Sequence, residues 1–198
     1  MRLGPKLTKV TGLRQALTVI NRPINPVSRN LLNVLFVMTS FSCKSVPTGV
    51  EAVRNFEKTR YLGKWYEIAR IDFKFEKDLN NTTAEYSEMA NGRIRVLNKG
   101  FNYKKNRWKK AIGKAKFVEK SDVGMLKVSF FGPFYAGYNV IKIDNDYNYA
   151  LVAGKNFDYL WILSRTPSIP TSIKEEYLNF AQKLGFNTSR LTWVVHNQ

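Results

Sequence analysis

Gly63-Lys64-Trp65-Tyr66-Glu67-Ile68-Ala69-Arg70 opens a run of alternating segments, and Asp158-Tyr159-Leu160-Trp161-Ile162-Leu163-Ser164-Arg165-Thr166-Pro167 closes it about a hundred positions later. A guanidinium is attracted to the face of an indole ring. If the segments between them are strands of one barrel, Gly63, Trp65 and Arg165 meet at its floor and close it.

The segments alternate, and their charges say which face is wet. Glu85 turns Ala84 and Tyr86 inward, and Arg93 and Arg95 do the same for Ile94 and Val96. Lys114 and Lys116 set Gly113, Ala115 and Phe117 inward, and Lys127 and Ser129 set Leu126, Val128 and Phe130 inward. Lys142 places Ile141 and Ile143 inside, and Trp161 and Leu163 share parity with Arg165. The expected strands are 64–72, 82–90, 93–104, 107–118, 123–132, 137–144, 148–154 and 158–164. Asn91-Gly92, Lys105-Asn106, Asp122 and Asn145-Asp146 mark turns between them. Eight sequential strands with tight turns describe an all-β, antiparallel up-and-down barrel, a size that can hold one small ligand.

After the strands, Ile173, Tyr177, Phe180, Ala181 and Leu184 repeat at helical spacing, with a capping box expected from Ser172 and Glu175 and a stop at Gly185. The apolar stripe is expected to pack on the barrel's outside. Leu191 to Val195 reads as a last strand, and Asn80-Asn81-Thr82 as a turn.

Two further stretches, Phe130-Phe131-Gly132-Pro133-Phe134-Tyr135-Ala136-Gly137-Tyr138-Asn139-Val140-Ile141 and Tyr149-Ala150-Leu151-Val152-Ala153-Gly154, complete a pattern running from about Phe56 to Val195. In this order the motifs resemble the lipocalin family, and within it the bacterial, apolipoprotein D-like branch of outer-membrane lipoproteins. The resemblance implies a membrane-anchored barrel that binds fatty acids or lysophospholipids, for lipid storage or transport in envelope maintenance under stress. It leaves monomer and homodimer both open.

The lipid-lining residues expected on this reading are Ala84, Tyr86, Ile94, Val96, Gly113, Ala115, Leu126, Val128, Phe130, Asn139, Ile141, Val152, Trp161 and Leu163. Small residues among large ones leave room for an acyl chain; ordinary size alternation in a filled core is the other reading. Glu67 and Arg165 are the only inward charges expected, both toward the closed end, so a charged head group belongs at the open mouth.

The 198 residues divide into a leader over 1–42, a tether over 43–52 and the barrel with its helix over 53–198. The leader carries Arg2, Lys6, Lys9, Arg14, Arg22 and Arg29 with no acid, and the apolar core 31–41 is short and ends at Ser42-Cys43. That is the build of a secretory signal, and a cysteine at the cut points to a lipoprotein signal with Cys43 acylated, by palmitate among others. Ser40 and Phe41 depart from the usual cleavage box; an uncleaved apolar anchor or a plain secretory signal are the other readings. A start at Val27 gives a leader of ordinary length. Lys44, rather than Asp, follows the cysteine, which favours a bacterial outer-membrane location, on the periplasmic face or the surface.

The formal charge is +17, and removing residues 1–42 leaves +11, from 26 basic and 15 acidic residues. Such a surplus suits anionic surfaces such as phospholipid or lipopolysaccharide, or else serves solubility. A structural lipoprotein that binds anionic envelope components through this surface is the alternative function. Nucleic acid is not expected, because the lysines are spread along alternating strands. Cys43 is the only cysteine and His196, read as a solvated tail residue, the only histidine. No histidine-based triad, metal site, cofactor ligand or barrel thiol can be built from them, so no enzyme is expected.

Overall fold

The computed structural model describes residues 46–197. The leader and Cys43 lie outside the described residues. Antiparallel strands β1 (Gly63–Ile71), β2 (Leu79–Glu88), β3 (Ile94–Asn102), β4 (Arg107–Phe117), β5 (Met125–Ser129), β6 (Ala136–Ile143), β7 (Tyr149–Ala153) and β8 (Leu160–Ser164) pair in sequence order. β1 closes the ring by pairing with both β8 and β2. Sequential pairing follows from the short turns, several of which use left-handed residues: Gly92 at φ +74°, Asn106 at φ +45° and Tyr147 at φ +60°.

The closure is not uniform along β1. Its first half, Gly63 to Tyr66, pairs with β2, and its second half, Ala69 to Ile71, pairs with the short last strand β9 (Leu191–Trp193). β2 diverges there through an irregularity between Asn80 and Thr83, where Asn81 adopts φ +51°. The Asn80-Asn81-Thr82 stretch is therefore a bulged strand start and not the expected turn. The C-terminal segment is tied in on both sides: Asn81 N–H donates to the Val195 carbonyl and Val194 N–H to the Ile68 carbonyl. His196, expected to be solvated, is half-buried, with Nε2 2.8 Å from the Glu67 carbonyl oxygen and its ring edge-on to Tyr66.

Side chains sort into two apolar clusters, as a closed sheet with one covered wall requires. The inner one gathers Trp65, Tyr86, Ile94, Val96, Ala115, Leu126, Val140, Val152 and Leu163. The outer one places Ile68, Ala69, Ile71, Ile141, Leu151, Leu160 and Ile162 under helix α2 (Thr171–Lys183), which buries Tyr177 and Ala181 against them. The expected capping box does not form. The helix begins at Thr171 after Pro170, with no side-chain cap bond, so Ser172 already lies inside the first turn. Gly185, at φ +97°, ends the helix as expected. A single turn, α1 (Lys58–Tyr61), precedes β1.

The floor forms as the spacing predicts. The Arg165 guanidinium sits 3.8 Å from the centre of the Trp65 ring. Its nitrogens donate to the carbonyls of Tyr147 at 3.1 Å, Lys64 at 2.9 Å and Arg60 at 2.6 Å. Trp65 Nε1 donates to the Tyr61 carbonyl at 2.8 Å. Gly63 is required here: it holds φ +95°, and a Cβ on it would lie 3.4 Å from the guanidinium. One half-buried cation therefore ties the turn before β1, the start of β1 and the β6–β7 turn together. Arg165→Ala should lower stability by about 2 kcal/mol, from the lost stack and the carbonyls left without donors, or roughly 4–8 °C in Tm. Arg165→Lys should rescue little of it, because an ammonium cannot stack and fork at once. An unchanged melting curve would contradict this account of the floor.

Candidate ligand site

Most of the expected lining is where the alternation puts it. Tyr86, Ile94, Val96, Ala115, Leu126, Val152 and Leu163 are buried in the inner cluster, and Ala84, Val128, Phe130 and Trp161 pack against it. Gly113 stands opposite the inward Val96. Its missing side chain makes room for Phe130, whose ring carbon would lie 2.8 Å from a Cβ there.

Two residues do not line the interior. Ile141 packs in the outer cluster beneath α2. A bulge between Val140 and Lys142 puts one extra residue into β6, so parity counted back from Lys142 holds for Ile143 and fails for Ile141. Lys142 itself faces α2, pairing with Glu176 at 2.9 Å. Asn139 alternates with the inward Tyr138 and Val140, and its Nδ2 donates to the carbonyls of Ala153 and Gly154 at 3.2 Å each. It fastens β6 to the end of β7 and does not belong to the lining.

Glu67 is inward as expected, but it joins a cluster toward the mouth instead of the closed end, and that cluster holds polar groups that the alternation missed. β1 carries a second bulge, between Glu67 and Ala69, which brings both Glu67 and Arg70 to the inner face while Ile68 and Ala69 turn outward. Arg70 is 1% exposed. Its NH1 meets Glu67 at 2.7 Å, its Nε meets Asp72 at 2.9 Å, and NH2 donates to the Glu76 carbonyl at 2.6 Å. Glu76, on the loop between β1 and β2, accepts from Trp161 Nε1 at 3.0 Å. Phe73 of the same loop meets Trp161 edge-on. The loop at the open end is thus held to β8 by an indole and to β1 by a buried guanidinium.

Two carboxylates, Glu67 and Asp72, pair with that one guanidinium, and a third, Glu76, lies within reach of its charge. Burial pulls the Arg70 guanidinium down, and Glu67 and Asp72 more than offset it, so it stays charged. Burial pushes the carboxyl of Glu67 well above the usual carboxylate range, reinforced by Glu76 and only partly opposed by Arg70. Glu76 is raised for the same first reason, burial, against the bond from Trp161 and the charge of Arg70.

Nearer the floor lies a chain of hydroxyls. Tyr138 Oη is 2.5 Å from Tyr61 Oη and 2.7 Å from Tyr86 Oη. Burial raises all three well above ordinary phenols, so they remain protonated. Midway, Thr82 Oγ1 and Asn98 Oδ1 are buried without a hydrogen-bond partner among the described residues. Asn98 shares the inner face of β3 with Ile94 and Val96. Thr82 Oγ1 approaches within 3.4 Å the place a Cβ on Gly100 would take, on that same face. Across from Asn98, Ala111 is inward on β4 yet exposed, and no residue of β4 from Arg107 to Ile112 is buried on either face. The barrel is open along this strand.

The matches to known proteins agree with this geometry. The profile of the Lipocalin-like domain family matches residues 56–196. The outer membrane lipoprotein Blc of Citrobacter freundii is 50% identical over 159 residues, covering 80% of this chain and 90% of the relative. Its namesake in Vibrio cholerae is 48% identical over 153 residues, covering 77% and 90%. Among solved structures, insecticyanin from the tobacco hornworm Manduca sexta superposes with a TM-score of 0.62 at 19% identity, covering 78% of this chain and 88% of that one, which supports the fold alone.

The raised carboxyls give the barrel a pH dependence of definite sign. A carboxyl whose folded-state pKa is raised binds its proton more tightly folded than unfolded. The contribution of these two groups to stability is therefore fully present below the unfolded value of about 4.3 and is lost as pH rises through the folded values. Glu76→Gln should flatten that fall, measured by denaturant unfolding at acidic and neutral pH; equal slopes for both proteins would count against it. By sequence, fold and closed-end geometry together, this chain belongs to the lipocalin family.

Proposed function

We propose that this lipocalin is a membrane-anchored binding protein that holds one single-chain lipid, a fatty acid or a lysophospholipid, inside its barrel. The observation that carries the reading is the pairing of an apolar inner cluster with two buried, unpartnered polar atoms, Thr82 Oγ1 and Asn98 Oδ1, beside the open face of β4. A buried polar atom without a partner is costly. A lipid whose chain lies among Ile94, Val96, Leu126, Val128 and Val152, and whose hydroxyl group donates its proton to these oxygens, removes that cost. The polar head group then lies at the open end, outside the carboxylate cluster that already occupies Arg70.

The relatives named as outer membrane lipoproteins support the same location for this chain, in bacteria, with Cys43 as the acylated anchor. In that place the barrel serves to store or carry lipids for envelope maintenance. We read the protein as a binder and not an enzyme. The sole histidine is engaged with the Glu67 carbonyl, and the sole cysteine precedes the barrel.

Binding is read directly from the fluorescence of Trp161, which lies between the inner cluster and the mouth loop. Affinity for single-chain lipids should rise with length by at most about 0.8 kcal/mol per methylene, then level off when the barrel is full. Ala111→Trp, inward and unburied, should block entry and weaken binding at least about tenfold with little change in Tm. Affinity indifferent to both chain length and Ala111→Trp would put the lipid outside the barrel.

Anchoring has its own test. Cys43→Ser should move the protein from the membrane to the soluble fraction or stall its processing. A mature protein whose mass retains residues before Cys43, or carries an unmodified Cys43, would refute the acylation.

A further inference from the structure

Helix α2 covers the outer wall formed by β6, β7, β8 and β1, where Ile141, Leu151, Ile162 and Ile68 meet it. On the other side of the barrel, no helix among the described residues covers the outward faces of β3 and β4. Its register sets out four cross-strand rows: Arg95 with Lys114, Leu97 with Ile112, Lys99 with Lys110, and Phe101 with Trp108. Cationic and apolar rows thus alternate, about 7 Å apart along the strands. Further along β4, Lys116 stands opposite Lys127 of the neighbouring β5.

Two properties separate this wall from an ordinary wet sheet face. Its apolar rows are not tucked away: Ile112 is 61% exposed and Trp108 58%. And its four rows contain no carboxylate, the nearest being Glu85 on β2, opposite Leu97. Concavities flank the rows on both sides. One of about 570 Å³ includes Leu97, Lys99 and Trp108 in its lining, and one of about 360 Å³ includes Arg95, Ile112 and Lys114.

A second copy of the chain fits this wall poorly, since a face-to-face pair would set its cations against their own images. A soluble polyanion would satisfy the lysines and leave the Leu97–Ile112 row unused. The Phe101 and Trp108 rings meet edge-on at 62°, so they offer no stacking platform for bases. A phospholipid bilayer of anionic composition uses both kinds of row. Phosphates meet the ammonium and guanidinium groups, while indole and aliphatic side chains reach the glycerol and upper acyl level.

We propose that the β3–β4 wall is a docking surface for an anionic phospholipid bilayer, on which the barrel lies sideways. This goes beyond lipid carriage and does not depend on what the barrel holds.

The test compares full-length variants on vesicles of phosphatidylcholine with and without phosphatidylglycerol. Lys99→Glu combined with Lys110→Glu should lower partitioning onto the anionic vesicles by about tenfold or more, each lysine near the surface being worth roughly a factor of five. Lys155→Glu with Lys183→Glu, an equal charge change at exposed sites off the wall, should lower it by less than about threefold, through net charge alone. As a readout that needs no charge variant, brominated lipid should quench the wild-type fluorescence, and Trp108→Phe should abolish most of that quenching. Equal losses in the two charge variants, or quenching untouched by Trp108→Phe, would overturn the proposal. So would a wall variant whose only change is in self-association, in nucleic-acid retention or in binding to lipopolysaccharide without phospholipid.

Discussion

Strand β1 is the constraint on which the rest of this structure depends. At its start Trp65 takes the Arg165 guanidinium on its face at 3.8 Å, and Gly63 supplies the positive φ from which the strand begins. Further along, one bulge turns Glu67 and Arg70 to the same inner face. Beyond the bulge the strand exchanges β2 for β9 as its neighbour. One strand therefore fixes the floor, supplies the interior's buried charge and admits the C-terminal segment into the wall. The two cations do opposite jobs. Arg165 closes the barrel by gathering three carbonyls from separate segments. Arg70 anchors the loop at the open end from within.

This division gives the interior a polarity along its axis. Protonated phenols sit near the floor, aliphatic side chains and two unpartnered acceptors occupy the middle, and a carboxylate-rich cluster around Arg70 lies toward the mouth. In a low-dielectric space each polar group counts for more than it would in water. An amphiphile with one chain and one polar end matches that gradient better than a uniform hydrocarbon or a rigid polar ring. The outer surface is divided as sharply. One wall is buried under α2, and the opposite wall keeps rows of lysine, arginine and bulky apolar residues in water.

How much of this the sequence disclosed depends on one geometric fact. Where a strand runs without interruption, charge alternation identified the inner face correctly: β3 and β4 placed Ile94, Val96, Gly113 and Ala115 as observed. Where a bulge adds a residue, parity reverses partway, and counting from one end fails at the other. Ile141 is displaced to the outer wall in this way, and Arg70 is brought inside in the same way. Asn139 was misread for a different reason. Its neighbours alternate regularly, but an amide that ties two strands through backbone carbonyls looks, in sequence, like any polar residue in a motif. The Trp65–Arg165 closure was legible because both partners sit at strand ends, with a glycine, required by its φ of +95°, two residues before the tryptophan. The tyrosine chain and the mouth network were not, since both are assembled from distant strands and a loop.

The central claim is that the barrel interior carries a single-chain lipid, and native mass spectrometry of the protein extracted gently from its own membrane tests it most directly. The account predicts a one-to-one complex whose mass excess, after dissociation, is a fatty acid or a lysophospholipid. A barrel that emerges from its native membrane with no lipid bound, or with only two-chain lipids that dissociate as nonspecific adducts, would contradict it.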